Sequence, residues 1–489
     1  MGTGIDRDAF TDGDYARFRE RLEGCLSVLA ELLDQPGFGT GPATVGAELE
    51  LFLVDRAGRP LPRNREIRAA VADPRITFEL GQFNLEVNSS PVPLAGRPFT
   101  ALGDEMTWLL DRTAEQAADH RGRVALIGIL PTLRLGDLRA GMMTDVPRYH
   151  ALNQGLQRIR RDPVHIRIAG ADPLELASQD ITFGGANTSF QVHLRVDPAD
   201  FTRTYNAVQL ATAPALAVAG NSPTFLGHRL WEETRIALFK QAIDDRTRLE
   251  PRRRPGRATL GTGWLRGGAL DLFAESVRLH RPLLPVLDEH APPAGPPSLG
   301  ELRLHQGTVW PWNRAIYDPA SGGHLRIEMR ALPAGPTVTD MLANAAFLIG
   351  LSLWLARQDQ QWTYELPFER ADHGFYRAAQ HGLEAELSWP SRPGGRIRTV
   401  RAGDLVAELV PRARQGLLLA GLDCAETHNL LDVIAARAAS GQTGSAWQRA
   451  ALAAAGRALD RERALAVMLD QYLARSATGQ PVHAWPPGR

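Results

Sequence analysis

The chain has 489 residues, of which 44% are hydrophobic and 22% charged, as is usual for a folded globular protein. Basic and acidic residues number 55 each, so the zero net charge argues against a nucleic-acid or anionic-membrane partner. Lys240 is the only lysine, which excludes a phosphate-binding loop with a lysine at any other position. Cys25 and Cys424 are the only cysteines, which excludes a disulfide framework and a cysteine-rich metal site.

The first half of the chain contains both predicted helices and predicted strands. The N-terminus lacks the pattern of a signal peptide, and we find no uninterrupted apolar run of bilayer length, so we expect a cytoplasmic protein. Hydrophobic periodicity predicts helices over 14–34, 99–120 and 149–161, and strands over 44–55, 76–91 and 123–131.

The second half begins with a strand and ends in helices. It contains a predicted strand over 186–197, helices over 200–219 and 230–243, loops over 251–268 and 281–298, the strand "LRIEMRAL", and helices over 337–357 and most of 403–476. Helices do not simply alternate with strands, so the predicted class is α+β. We expect a mixed, mainly antiparallel curved sheet with a polar concave face, helices on its other face and a helical C-terminal region.

The predicted domains follow this order. We expect an N-terminal helix and linker over 1–43, a catalytic domain over 44–357 and a helix-rich region packed on it over 358–489.

Four predicted strands carry polar side chains on one face and apolar side chains on the other, because successive side chains of a strand point to opposite faces. The polar positions are Glu48 and Glu50; Asn84, Glu86 and Asn88; Asn187, Ser189, Gln191, His193 and Arg195; and Arg326, Glu328 and Arg330. The simpler interpretation is an antiparallel sheet with one solvated face. The residue types favour a site, because Glu, His, Asn, Gln and Arg are ligand and recognition residues.

Carboxylates two apart on a strand lie about 6.5 Å from each other and repel unless a positive charge lies between them. A divalent cation bound by carboxylate oxygens relieves this repulsion, and several carboxylates with one histidine suit Mg²⁺ or Mn²⁺ better than zinc. Arg326 and Arg330 flank Glu328 and could contact metal-bound phosphates. The stripes therefore predict a metal–nucleotide site for phosphoryl transfer.

Taken in order, these stretches resemble the glutamate–cysteine ligase type 2 family, bacterial carboxylate–amine ligases related to glutamine synthetase. The motifs are "GAELELFLVD", "FELGQFNLEVNSSP", "SFQVHLRV" and "GHLRIEMRALP", spread over residues 44–350. The resemblance implies that ATP activates a carboxylate as an acyl phosphate, which an amine then attacks. It also implies Mg²⁺ or Mn²⁺ as cofactor and ATP and amino acids as small-molecule partners.

The site residues follow from this resemblance and from the stripes. Glu328 and Arg330 are the expected catalytic residues, and Arg326 and Arg330 the expected phosphate contacts. The expected metal ligands are Glu48, Glu50, Glu79, Glu86, His193 and Glu328; the expected substrate contacts are Arg235, Gln191, Asn187, Trp312 and Arg314. Glu79 and Glu86 are seven residues apart and would face opposite ways on one regular strand, so Glu79 requires a bulge or turn at 81–82.

The predicted function is an ATP-dependent carboxylate–amine ligase that forms an amide, most simply a γ-glutamyl bond, with glutamate–cysteine ligation as the first assignment. Two alternatives stay open: the same chemistry with another amine or peptide acceptor, and a non-catalytic relative that binds a nucleotide or metabolite. His193 could equally be a structural histidine, and Lys240 fits an ion pair better than catalysis. The sequence leaves the oligomeric state, including a homo-oligomer, and the number of metal ions open.

Overall fold

The computed structural model describes residues 4–160, 162–247, 254–288, 295–358, 360–390 and 396–486. The loops expected over 251–268 and 281–298 therefore lie partly outside the described residues, at 251–253 and 289–294. The described residues of these two stretches form loops without helix or strand, as predicted.

Strands form one large sheet and three two-stranded hairpins. The strands are β1 Thr44–Asp55, β2 Ile76–Phe78, β3 Asn84–Asn88, β4 Val92–Pro93, β5 Gly122–Ala125, β6 Val164–Ile168, β7 Leu174–Ser178, β8 Phe190–Val196, β9 Thr224–Phe225, β10 His228–Arg229, β11 Asn313–Asp318, β12 His324–Met329, β13 Glu386–Pro390 and β14 Ile397–Arg401. The large sheet is antiparallel, in the order β11-β12-β8-β1-β3-β2, with β4 and β5 also paired to β1.

Helices surround this sheet and make up most of the C-terminal region. They are α1 Asp12–Leu33, α2 Asn64–Val71, α3 Pro98–Asp119, α4 Pro147–Arg160, α5 Phe201–Ala219, α6 Thr234–Ala242, α7 Ala269–Leu279, α8 Gly300–Gln306, α9 Val338–Ala356, α10 Trp362–Glu365, α11 Phe368–His381, α12 Ala402–Leu419, α13 Cys424–Ser440, α14 Gly444–Ala455 and α15 Arg461–Ser476. The α+β class with a curved antiparallel sheet and a helical C-terminal region is confirmed.

The two faces of the sheet differ in polarity, as the period of two requires. On β1, Leu49 and Leu51 are completely buried against the helices, whereas Glu48 and Glu50 on the opposite face are half-buried. On β12, Ile327 is completely buried in the same apolar layer. Burial of the Leu and Ile side chains removes apolar surface from water, about 1.5–3 kcal/mol for each, and this orients the glutamates away from the helices.

The hydrophobic core joins the sheet to both ends of the chain. One cluster contains Phe18 of α1, Leu49 of β1 and Leu405 of α12. A second cluster brings Phe52 of β1 together with Trp447 of α14. The N-terminal helix and the C-terminal helices therefore share cores with the sheet, and the domain boundaries drawn from the sequence stay a proposal.

Several elements differ in detail from the sequence predictions. The piece over 76–91 is not one strand but the hairpin of β2 and β3, because the turn at 79–83 reverses the chain. The strand expected over 123–131 is only β5, and the one over 186–197 begins at Phe190 after a 3₁₀ turn. Helices α2 and α7 and the hairpin β6–β7 were not predicted.

Helix α9 is long and apolar enough to cross a membrane by length and composition alone, which the search for uninterrupted apolar runs did not reveal. In the structure 78% of its most apolar window is buried. Its neighbours are α5, α12 and α13. This is the environment of a core helix in a globular protein, and such a helix is weak evidence for a membrane span.

Candidate active site

A cavity of about 550 Å³ opens on the polar face of the large sheet. This volume lies within the range of small-molecule and cofactor pockets. Its walls contain most of the glutamates that the sequence singled out, together with arginines and aromatic residues. Among the lining residues are Glu48, Glu50, Glu79, Glu86, Asn187, Ser189, Gln191, Arg235, Trp310, Trp312, Arg314 and Arg330.

Two groups of potential metal ligands lie on this face, each with its ligand atoms within 4.8 Å of one another. We call Glu50, Glu79 and Glu86 the three-glutamate cluster, and Glu48, His193 and Glu328 the histidine cluster. The sequence named all six side chains as candidates, and the structure divides them into two sets of three.

Strand register and one turn assemble the three-glutamate cluster. Glu50 of β1 lies directly opposite Glu86 of β3 in the antiparallel pair. Glu79 follows the end of β2, and the chain then turns at Gly81 before β3 begins. Because the turn separates β2 from β3, the alternation of side chains along β3 does not determine which way Glu79 points. Glu79 therefore lies in the same cluster as Glu86.

Close packing of three carboxylates makes the three-glutamate cluster a poor place for negative charge. Burial, followed by the nearby charge of Glu86, raises the pKa of Glu50 from 4.5 to about 7. Burial and the charges of Glu50 and Glu86 raise the pKa of Glu79 well above its ordinary value. Like charges at this distance cannot all ionise near neutral pH without a compensating cation.

Few protein groups neutralise the three-glutamate cluster. Glu50 accepts hydrogen bonds from the Ser189 backbone N–H at 2.7 Å and from Gln191 Nε2 at 3.0 Å. Both hydrogen bonds to Glu86, from Thr77 and Asn88, fall on Oε1 at 2.9 Å. In the described part of the chain no arginine lies within ion-pair distance of these three carboxylates. Three converging carboxylates without a cation suit a hard divalent ion such as Mg²⁺ or Mn²⁺.

The histidine cluster is held by two strand pairs. His193 of β8 lies opposite Glu328 of β12, and its Nε2 atom lies 3.2 Å from Oε1 of Glu48. His193 is 9% exposed, and neither ring nitrogen makes a well-aligned hydrogen bond within the described ranges. A buried imidazole beside two carboxylates, with no well-aligned hydrogen bond among the described residues, is an arrangement that a metal-ligand role explains.

Two arginines hold the remaining carboxylate of the histidine cluster. Arg314 donates to Glu328 from Nε at 2.5 Å and from Nη2 at 3.0 Å, and Arg330 donates from Nη1 at 2.5 Å. Burial by itself would raise the pKa of Glu328, but the guanidinium groups of Arg314 and Arg330 hold that pKa well below its ordinary value. Glu328 is therefore an ionised carboxylate, and both of its oxygens are bonded to arginine.

The two clusters thus differ in charge. Arg314 and Arg330 both pair with Glu328 of the histidine cluster, whereas no arginine among the described residues pairs with a carboxylate of the three-glutamate cluster. The three-glutamate cluster therefore fits a divalent cation on electrostatic grounds. In the histidine cluster, Glu328 can bind a metal ion only if a hydrogen bond from Arg314 or Arg330 to one of its oxygens is broken first.

The expected substrate contacts all border the cavity. Gln191 accepts a hydrogen bond from Arg330, and Asn187 Oδ1 is buried without a hydrogen-bond partner in the described segments. Arg235 is 3% exposed, pairs with Glu233 at 3.2 Å and lies with its guanidinium carbon 5.9 Å from the ring centre of Trp312. Arg314, expected in the acceptor pocket, instead has both of its donor ends directed at Glu328 and at backbone carbonyls.

Arg326 does not line the cavity, although it shares a strand face with Glu328 and Arg330. Its Nη1 atom pairs with Asp318 of the neighbouring strand at 3.2 Å, and in the register it lies opposite Arg195. The strand runs past the end of the cavity at this position, so the two arginines that flank Glu328 in sequence have different surroundings.

Helix α4 contributes lining residues that the sequence did not reveal. Arg148 and Tyr149 stand at its N-terminus, and the Tyr149 hydroxyl donates to the Phe78 carbonyl at 2.8 Å, beside Glu79. Burial lowers the pKa of Arg148 and, with the charge of Glu79, raises that of Tyr149. An ordinary amphipathic helix gives no sign of such a role, since only the fold brings its first turn to the sheet.

The order of the strands and their glutamates agrees with a known family. Residues 44–253 match the family model of glutamate–cysteine ligase family 2. This match confirms the resemblance inferred from the acidic strands, and it covers β1 through β8, which carry both acidic strands and His193. The strand with Glu328 lies beyond the matched residues. No curated protein matches the chain.

Solved structures share the fold at low sequence identity. Glutamate–cysteine ligase from Francisella tularensis, in complex with AMP, has a TM-score of 0.54 and 10% identity, with 89% of each chain covered. A bifunctional glutathione synthetase from Pasteurella multocida has a TM-score of 0.52 and 11% identity, with 93% of this chain and 53% of that chain covered. The present chain thus spans about half the length of the second protein. The family match supports a carboxylate–amine ligase, and the solved structures show the common fold.

Proposed function

We propose that the protein is an ATP-dependent ligase that joins a carboxylate to an amine through an acyl phosphate. The observation that carries this proposal is the three-glutamate cluster in one cavity with Arg330, Arg235 and the Arg314–Glu328 pair. Carboxylates for a divalent cation beside guanidinium groups are the residue set that phosphoryl transfer uses. The family match is the reason to propose that the phosphoryl group is transferred to a carboxylate and that an amine then replaces it.

In the proposed reaction a substrate carboxylate oxygen attacks the γ-phosphorus of ATP, the bond to the β-phosphate oxygen breaks, and ADP leaves. The amine nitrogen then attacks the acyl carbon, loses a proton and expels phosphate, so an amide forms. Divalent ions held by the three-glutamate cluster would neutralise the phosphate oxygens of ATP. Arg330 would stabilise the charge of the transferred phosphoryl group, because its guanidinium lies in the cavity wall beside Glu328.

The activated substrate is proposed to be glutamate and the amine cysteine. Glutamate has a second carboxylate that is not activated and needs a positively charged partner in the protein. Buried Arg235 borders the cavity and would bind this carboxylate. Trp310, Trp312 and Phe239 form an apolar part of the same wall, with ring centres about 6 Å apart in two pairs. Such a wall suits an acceptor with a small, weakly polar side chain, for which cysteine is one candidate.

Hydroxylamine tests the activation step without knowledge of the amine. Purified protein with ATP, Mg²⁺ and hydroxylamine is supplied with glutamate, aspartate or other carboxylates, and hydroxamate and ADP are measured. We expect hydroxamate with at least one carboxylate, in equal amount to ADP, and none with the E50Q variant. Absence of both products with all carboxylates would contradict the ligase proposal.

The alternatives that the sequence left open are separated by the next measurement. Mass spectrometry of products over a panel of amino acids, amines and short peptides identifies the acceptor, and an amide with another amine but not cysteine would replace only that part of the proposal. A non-catalytic binding protein would instead bind Mg–ATP without phosphate release in any combination, and E50Q would alter its affinity alone.

A further inference from the structure

A second cavity, of about 260 Å³, lies on the helix-covered side of strand β11. It is bounded by helix α7, the loop over 259–266 and the start of β11. Its volume is below the roughly 300 Å³ at which pockets for drug-sized ligands begin. A ligand of this cavity would therefore be a small molecule.

Acidic side chains stand at the mouth and in the wall of this second cavity. Asp271 is exposed and Glu275 half-buried, one turn apart on helix α7. The Glu275 Oε2 atom accepts a hydrogen bond from Thr262 at 2.8 Å. Among the described residues, no basic side chain forms an ion pair with either of these carboxylates.

The floor of the second cavity consists of buried polar groups that lack hydrogen-bond partners among the described residues. They are Ser276 Oγ, His280 Nδ1 and Asn313 Oδ1, on residues that are 5%, 5% and 0% exposed. The amide nitrogen of Asn313 donates to Gln209 Oε1 at 2.6 Å and to Thr212 Oγ1 at 3.0 Å, which fixes the orientation of the amide and leaves Oδ1 as a hydrogen-bond acceptor. Buried acceptors are normally satisfied, so these indicate a missing donor.

The arginines that border the second cavity are directed elsewhere. Arg266 donates to the Thr363 carbonyl at 3.0 Å and lies over the Tyr364 ring, and Arg314 donates to Glu328. The second cavity is thus rich in acceptors and negative charge, and these two guanidinium groups do not neutralise it. An ammonium group, with three donors and a positive charge, complements this surface.

We propose that the second cavity binds a small organic amine in its protonated form. The ammonium group lies between Glu275 and the floor acceptors Ser276 Oγ and Asn313 Oδ1, and Asp271 attracts the cation at the mouth. This site is separate from the catalytic cavity, and the proposal stands whether or not the protein is a ligase.

The second cavity also adjoins the arginine that holds Glu328. Gln306 and Val309 line this cavity, and their carbonyl oxygens accept hydrogen bonds from Arg314 Nη1 at 2.9 and 3.3 Å. Asn313, in the cavity floor, immediately precedes Arg314 in strand β11. An amine bound at this floor therefore contacts the same segment that positions Arg314.

Calorimetry of the whole protein without nucleotide tests the proposal, with ethanolamine, glycinamide, putrescine and tyramine as probes. We expect saturable one-site binding of at least one amine, and no binding of ethylene glycol, in which a hydroxyl replaces the ammonium of ethanolamine. The E275Q variant should weaken amine binding at least about tenfold, as loss of a charge-assisted hydrogen bond does.

Three further variants make the result specific. E50Q removes a carboxylate of the catalytic cavity, and D404N removes an exposed carboxylate of α12 outside both cavities. Both should bind the amine as the unmodified protein does. S276A removes a hydroxyl that has no hydrogen-bond partner among the described residues, so it should retain the melting temperature and weaken amine binding. This variant tests the site even where E275Q is unstable. Absence of binding by all four amines, or loss on E50Q instead of E275Q and S276A, would overturn the proposal.

Discussion

The guanidinium of Arg314 holds both carboxylate oxygens of Glu328 across the β11–β12 pair, in which the two residues lie directly opposite each other. Glu328 is 1% exposed and Arg314 9% exposed. A buried ion pair is stable only while both partners are present, because a lone buried charge has lost its hydration. The pair therefore fixes the last acidic strand of the cavity in place.

Replacement of Arg314 alone should destabilise the protein strongly. We expect R314M to lower the free energy of unfolding by about 3 kcal/mol, since among the described residues Glu328 then keeps Arg330 alone as an ion-pair partner. Urea denaturation measures the loss. The double variant R314M/E328Q also removes the charge of Glu328 and should recover at least half of the lost free energy of unfolding. A single variant within about 0.5 kcal/mol of the unmodified protein would contradict the role of the pair.

The three-glutamate cluster should make stability depend on pH. Burial and neighbouring carboxylates raise the pKa of Glu50 to about 7 and that of Glu79 well above its ordinary value, so the folded state binds more protons than the unfolded state above pH 4.5. Stability is then highest below about pH 4.5 for these groups and falls as the pH rises through 7. For Glu50 the change is on the order of 3 kcal/mol.

Melting temperatures measured from pH 5 to 8 without divalent ions check this dependence. We expect the decline to become smaller in the E79Q variant, which lacks one of the repelling charges, and to become smaller again when Mg²⁺ or Mn²⁺ is added. E115Q, at an exposed residue of helix α3, serves as a carboxylate-to-amide control and should keep the decline. A stability that rises steadily over this interval in the unmodified protein would be evidence against the cluster.

Metal affinity should depend most on the three-glutamate cluster. E50Q and E86Q each remove one carboxylate of three, and we expect the Kd for Mn²⁺ to rise at least about tenfold in both. E328Q should change the Kd of that ion less than about threefold, because both oxygens of Glu328 are bonded to arginine. Calorimetry or electron paramagnetic resonance of Mn²⁺ measures these values. Equal losses in all three variants would mean that Glu328 is a ligand of the same ion.

Two arginines that flank Glu328 in sequence should behave differently. R330A removes a guanidinium that borders the cavity and should lower kcat at least about a hundredfold, as removal of a group that stabilises transition-state charge does. R326A breaks an ion pair with Asp318 beside the end of the cavity and should leave kcat within about threefold. Rates of ADP release compare the two. A similar loss in both variants would restore the sequence-based assignment of Arg326 to phosphate.

The polar face of the sheet was predictable because side chains alternate along a strand. Leu49 and Leu51 had to face the core, so Glu48 and Glu50 had to face away from it, whatever the partner strands were. The same rule placed Glu86 and His193. Four such strands in the order of a known family were enough to predict the α+β class and the family resemblance.

Contacts between elements could not be read in this way. The placement of Glu79 depends on the turn at Gly81, and the place of Arg148 depends on how helix α4 meets the sheet. Strand β11 was not predicted, so the Arg314–Glu328 pair was unforeseen. Arg326 shares the parity of Glu328 and still lies outside the cavity, because parity sets the face of a side chain and not its position along the sheet.

The sequence by itself determined which side chains face away from the core, since the period of a strand and the burial of apolar residues are local properties. Only the tertiary structure decided which of these side chains meet. The antiparallel register opposes Glu50 to Glu86 and Arg314 to Glu328, and this separates an uncompensated acidic cluster from an arginine-bound one. The reason is physical: pairing and charge balance depend on distances between segments that the chain brings together only when it folds.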